Sequence, residues 1–157
     1  MDELTVVAWR KSFRGAIPAS VIDAQRPGPR GDYFRSALPS LPPYHTAVVT
    51  DEGRVVGYVH TGPNRDDDDA GESEIWGLYV DPGHQRRGFG RTLMEHALEW
   101  VGSQGYSEVT LWTLKDVLTT RRFYEAMGGR VDPIERSVSI HGTDLQEVRY
   151  RFRLSEV

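Results

Sequence analysis

Apolar positions follow helical spacing at the start of the chain and strand spacing from about residue 45. Residues 4–14, LTVVAWRKSFR, predict a helix closed by Gly15 and Pro18. Residues 26–43 hold five prolines, Pro27, Pro29, Pro39, Pro42 and Pro43, with room for a short helix over 32–38. From His45 the apolar runs shorten. HTAVVT and RVVGYVHT, separated by Asp51-Glu52-Gly53, predict a hairpin. EIWGLYV, residues 74–80, carries few charges and predicts a central strand. Over residues 89–103, Leu93, Met94, Ala97, Leu98 and Val101 fall on one helical face, and Gly102 and Gly105 close it. SEVTLWTL predicts a further strand, and residues 118–127 a helix stopped by Gly128. The tail has two strand-like runs, near 130–140 and 146–154, joined by HGTD.

The predicted order is a helical segment, then β, β, β, α, β, α, β, β. The strand–helix–strand unit implies a right-handed crossover and a local parallel pair. Hairpins on either side make the sheet mixed. No repeat and no linker divides the 157 residues, so 1–157 reads as one α/β domain.

Composition narrows the chemistry. The chain is 38% hydrophobic and 27% charged, enough apolar matter for one core. A formal net charge of -4 gives no reason to expect nucleic acid or an acidic membrane as partner. No apolar run nears the ~18 residues of a membrane span, and no basic-then-apolar leader opens the chain. The expectation is a soluble, cytoplasmic protein. With no cysteine, disulfides, thiolate metal sites and a cysteine nucleophile are all removed. His84 and His96 lie 12 residues apart without a third partner, so no metal site is expected. The run Asp66 to Asp69 reads either as a solvated loop or as an electrostatic lure for a cationic substrate. Arg149, Arg151 and Arg153 alternate with Tyr150, Phe152 and Leu154, the pattern of a half-exposed strand.

Between the central strand and the next helix stands DPGHQRRGFGRTL. A strand, a glycine-bearing turn and a helix start make an anion cradle, because unpaired N–H groups and the helix dipole converge there. A P-loop would need Gly-Lys-Ser/Thr, and Gly90 is followed by Arg91-Thr92. A dinucleotide fingerprint would need a small residue at Leu93. What QRRGFG does match is Gln/Arg-x-x-Gly-x-Gly/Ala.

In this context the chain resembles the GNAT superfamily of acetyl-CoA-dependent N-acetyltransferases. EIWGLYVDPGHQRRGFGRTLMEHAL is similar to that family's central strand, pyrophosphate loop and following helix, and RRFYEAMGG to its last helix. The likeness covers residues 45–154 in order and spacing, while the first 44 match only loosely. It implies a mixed, twisted sheet that splits at the central strand and is flanked by helices. It also implies acetyl-CoA as co-substrate and direct acetyl transfer to a primary amine of a small molecule or peptide, with no covalent enzyme intermediate. On this resemblance the backbone amides from Arg86 through Arg87, Gly88, Phe89 and Gly90 to Arg91 hold the pyrophosphate, the side chains of Arg86, Arg87 and Arg91 supply nearby charge, and Gln85 and Tyr124 belong to the same cofactor site. Leu78, Tyr79 and Val80 pair with the pantetheine arm as an added strand would.

The reaction sets further demands. A lysine-type amine has a pKa of about 10.4 and needs a base or a proton path before it attacks. The thioester oxyanion needs an N–H donor, which the resemblance assigns to Leu78. Glu74 is the candidate base, at the start of the central strand 11 residues before Gln85, with Glu72 as rival and Ile75 and Trp76 as apolar neighbours. Tyr124 is the candidate acid for the leaving thiolate, at the family's tyrosine position; Phe123 suits the core better and leaves Tyr124 freer. Seven residues before Tyr124 the family often has an asparagine, and here stands Val117, with Asp116 beside it. His60 reads as a partly exposed histidine or an acceptor-cleft residue. Trp9, Phe13, Tyr33 and Phe34 either anchor helices to the sheet or line an acceptor pocket. Alternatives are a non-catalytic acyl-CoA sensor, a transferase using succinyl-CoA or another acyl-CoA, and a dinucleotide-binding oxidoreductase fragment. An exposed terminal strand offers a surface for a homodimer.

Overall fold

The computed structural model describes residues 2–26, 42–68 and 73–154. The expected helix over 32–38, Tyr33, Phe34, Asp69 and Glu72 lie outside the described residues. The chain runs α1 (Asp2–Ser12), α2 (Ala19–Ala24), β1 (His45–Asp51), β2 (Arg54–Pro63), β3 (Ser73–Val80), α3 (Phe89–Ser103), β4 (Glu108–Leu114), α4 (Leu118–Ala126), β5 (Arg130–Ile140) and β6 (Thr143–Arg153). A single 3-10 turn, Pro82–His84, lies between β3 and α3.

The six strands form one mixed sheet in the order β1-β2-β3-β4-β6-β5. Neighbours are antiparallel except β3 and β4, whose parallel ladder has only two pairs, Ser73↔Val109 and Glu74↔Thr110. Past Glu74 the strands separate, so the sheet opens along the rest of β3, as expected. A bulge at Trp76 marks the same place: His60 pairs with Gly77, and Thr61 with Ile75.

Two cores hold the sheet. Leu93, Met94, Ala97 and Val101 form the buried stripe of α3 and pack on Val59, Ile75, Val109, Leu111, Tyr150 and Phe152. Each fully buried large side chain here contributes about 1.5–3 kcal/mol. On the second core, Trp9, Ile17, Val21 and Ile22 meet Leu114, Val117 and Leu145.

Three expectations are corrected. The first helix stops at Ser12, because the chain folds back on itself: the Ala16 and Ile17 amides donate to the Phe13 carbonyl at 3.0 and 3.3 Å. Pro18 then starts α2, accepting from the Val21 and Ile22 amides through its carbonyl. The terminal strand β6 is not an exposed edge. It lies between β4 and β5, and β5 is the edge.

Candidate active site

The splay between β3 and β4 has different chemistry at its two mouths. One lies at the loop between β3 and α3. Gln85 anchors that loop, its Nε2 donating to the Val80 carbonyl at 3.2 Å and to the Ser12 hydroxyl at 3.1 Å. The loop then turns through two left-handed residues, Arg86 at φ 64 and Gly88 at φ 91. The first bond into α3 runs from the Thr92 amide to the Gly88 carbonyl at 3.0 Å, so the amides of Gly88 to Arg91 have no intrahelical acceptor. These features fit a diphosphate: successive free N–H groups, a helix start and exposed guanidinium groups. Arg87 leans to Asp51 at 2.9 Å and Arg91 to Glu95 at 3.3 Å, while Arg86 has no carboxylate partner among the described residues.

The other mouth opens into a cavity of about 730 Å³ between α1, α2, β3, β4 and the β5–β6 hairpin. Glu74 lies in its wall at the last rung of the β3–β4 ladder and is fully buried. It accepts from the Arg65 amide at 3.1 Å, from Arg65 Nε at 3.0 Å, and from Arg65 Nη2. The expected apolar surroundings are thus replaced by an ion pair, which holds the Arg65 guanidinium above its ordinary pKa. Arg65 also lies over the Trp76 ring, 4.6 Å from its centre. No feature of Arg65 in the sequence marked it as Glu74's partner.

Two phenols lie close to each other near the splay, and Tyr124 is not in the cavity lining. Tyr79 lines the cavity and its hydroxyl accepts from Trp9 Nε1 at 3.3 Å. Tyr124, on α4, packs against Tyr150 and Phe152, with ring centres 5.9 and 6.4 Å away. The sequence-based order of exposure is reversed: Tyr124 is buried, while Phe123 is half-exposed beside Gly90. Burial, with a smaller contribution from Tyr79, pushes the Tyr124 phenol above its ordinary pKa, so it keeps its proton at neutral pH. Its hydroxyl has no hydrogen-bond partner among the described residues. Leu78, Tyr79 and Val80 face β2 along one edge, paired with Val59, Tyr58 and Gly57. Their other edge has no ladder to β4.

Val117, at the asparagine position, is buried in the second core and offers no polar group. Trp9 both anchors α1 in that core and lines the cavity. His60 is buried rather than partly exposed, with Nδ1 2.5 Å from the Thr46 hydroxyl. Burial first, then His45 and Arg65, lowers its pKa.

The aspartate run is not solvated throughout. Arg149, 2% exposed in its side chain, binds Asp66 at 3.0 Å, Asp68 at 2.8 Å and Asp132 at 2.8 Å. Asp66 also accepts from Trp112 Nε1 at 2.9 Å. The alternation around Arg149 in the sequence suggested an exposed side chain, and the carboxylates that bury it lie far off in sequence.

A family model described as "Acetyltransferase (GNAT) family" matches residues 8–129. The chain is 27% identical over 144 residues to the uncharacterized N-acetyltransferase YuaI of Bacillus subtilis, covering 91% of this chain and 80% of that one. Its fold is similar to a GCN5-related N-acetyltransferase from Rhodopseudomonas palustris, with TM-score 0.75 at 20% identity over 98% of this chain and 87% of the other. It is also similar to YncA of Salmonella typhimurium, solved with its cofactor acetyl-CoA: TM-score 0.70, 20% identity, 99% and 87% covered.

Proposed function

The chain belongs to the acetyltransferase (GNAT) family and is an acyltransferase, and from that premise we propose that it transfers the acetyl group of acetyl-CoA directly to a primary amine seated in the cavity beside Glu74. The observation that carries this reading is the β3–β4 splay, with an anion cradle at the β3–α3 loop and, along β3, a cavity of about 730 Å³ that holds Glu74.

Acetyl-CoA supplies an activated acyl group on a thiol. The amides of Gly88 to Arg91 and the Arg86 guanidinium hold its diphosphate. The unpaired edge of Leu78, Tyr79 and Val80 receives the pantetheine arm as a strand receives a neighbour. The Leu78 N–H stabilises the oxyanion. Glu74 has roughly four acceptor sites, three of them taken by Arg65. The remaining site, on Oε1, meets the incoming ammonium and passes its proton to the open cavity. The amine then forms a C–N bond as the C–S bond breaks; Tyr124 donates its proton to the leaving sulfur, and the second proton, shed by the new amide nitrogen, returns to the Tyr124 phenolate.

Thiol release from acetyl-CoA, measured against a panel of amines, tests the reading. Tyr124→Phe should lower kcat about 10²-fold or more and leave acetyl-CoA affinity within about twofold. An unchanged kcat removes Tyr124 from the reaction. Binding of acetyl-CoA with no thiol release on any amine would favour a non-catalytic acyl-CoA module.

A further inference from the structure

Among the described residues, those lining the cavity beside Glu74 carry more positive than negative charge. Its charged walls are Arg26, Arg65 and Arg136 against Glu74 and Glu147. Two of the cations are matched there, Arg65 by Glu74 and Arg136 by Glu147 at 2.7 Å. Arg26 is not. Its Nη1 donates only to main-chain carbonyls, of Asp23 and of Gln25 at 2.8 Å, and no carboxylate among the described residues pairs with it. Arg26 is exposed at the rim of the cavity, and its Nε and Nη2 have no partner among the described residues.

Gln25 stands beside it, 9% exposed and in the same wall. Its main chain is engaged: the amide donates to Ile22 at 3.2 Å, and the carbonyl accepts from Arg10 at 3.0 Å and from Arg26. Its side-chain amide has no partner among the described residues. Its nitrogen and oxygen are not among the fully buried unpartnered atoms, so solvent in the cavity reaches them and they are open to a ligand. A donor amide next to an uncompensated guanidinium is a recognition pair for a carboxylate. Of the acids expected to attract a cation, Asp66 and Asp68 are already engaged by Arg149.

We propose that Gln25 and Arg26 form an anion-binding subsite at the α2 end of the cavity, and that the acceptor is a small amine that also bears a carboxylate. The ammonium of such a zwitterion faces Glu74 and its carboxylate faces Arg26. Trp9 and Tyr79 pack against the body between them. This assignment rests on the acetyl-transfer reading and narrows it.

The test separates the two. Thermal unfolding with acetyl-CoA comes first, and no stabilisation there overturns acetyl transfer itself. Thiol release is then followed with amino acids, with the same amino acids as carboxamides, and with polyamines. Free amino acids should be preferred over their amides at least tenfold in kcat/KM. Arg26→Ala should raise KM for the acid about 10–100-fold, with kcat and acetyl-CoA affinity held, and should erase the preference for acid over amide. Arg26→Lys should restore part of it. Preference for amides or polyamines, or no turnover of any amino acid by a chain that still binds acetyl-CoA, overturns the carboxylate assignment alone. A preference that survives in Arg26→Ala removes Arg26 from it.

Discussion

Replacing Arg149 by alanine should destabilise the chain by about 3 kcal/mol. The side chain is 2% exposed, with its guanidinium on Asp66, Asp68 and Asp132 at 2.8–3.0 Å. Removing one member of a buried ion pair costs about 3–5 kcal/mol, because the other charges stay behind without it. The lower end applies here, since the orphaned acids keep other donors. Asp66 retains Trp112 and Arg136, Asp132 retains Arg151 at 3.1 Å, and Asp68 is 44% exposed to water. At this chain length the melting midpoint should fall roughly 6–12 °C. The effect should depend on pH. Burial would raise the Asp132 carboxyl, but hydrogen bonds from Arg151 and Arg149 hold it below the usual value, and the hydrogen bond from Arg149 lowers Asp68. Depressed carboxylates stabilise the fold fully above about pH 3.9 and lose that contribution as pH falls through their folded values. Urea unfolding of both proteins at pH 7 and pH 3 should therefore show a gap that narrows in acid. A loss under 1 kcal/mol at pH 7, or a gap that widens in acid, would refute the reasoning.

Other outcomes follow from single positions. A Cβ on Gly129 would sit 2.6 Å from the Phe152 ring and 2.9 Å from the Tyr124 carbonyl, so Gly129→Ala should cost about 1–3 kcal/mol by denaturant titration; a neutral effect would show the wall yields. Gly88→Asp forces a left-handed conformation at φ 91 on a side chain that also brings negative charge, so acetyl-CoA should cease to stabilise the fold; retained stabilisation would place the diphosphate elsewhere. His45 and His60 have pKa values lowered chiefly by burial. The unfolded chain therefore takes up protons first, and stability should be full above about pH 6.5 and decline below it. Melting midpoints from pH 8 to 5.5 should show that decline, and His60→Gln should flatten it; a wild-type profile already flat would rule the two histidines out.

Elements set by local pattern were legible in the sequence. The α3 stripe of Leu93, Met94, Ala97 and Val101 needed only helical spacing, and the β1–β2 hairpin only its turn. What was lost depended on distant partners. Pro18 reads as a stop or as a start, and the choice rests on Val21 and Ile22 finding a core against Leu114 and Leu145. The aspartate run reads as solvated until Arg149 arrives from β6. Tyr124 and Phe123 are adjacent aromatics, and which one is buried depends on the pitch of α4 against Tyr150 and Phe152. Glu74 was singled out by position, but its chemistry depends on Arg65, nine residues earlier across a loop that no periodicity describes.

The parallel seam of two rungs has a mechanical consequence. The sheet is two three-stranded plates, β1-β2-β3 and β4-β6-β5, stitched at one end. Amide exchange should therefore open along the join sooner than within either plate. A pantetheine arm laid against β3 would add rungs where the chain has none. Such a ligand would act as a splint across the two plates, slowing exchange in β3 and β4 together while leaving the outer strands β1 and β5 unchanged.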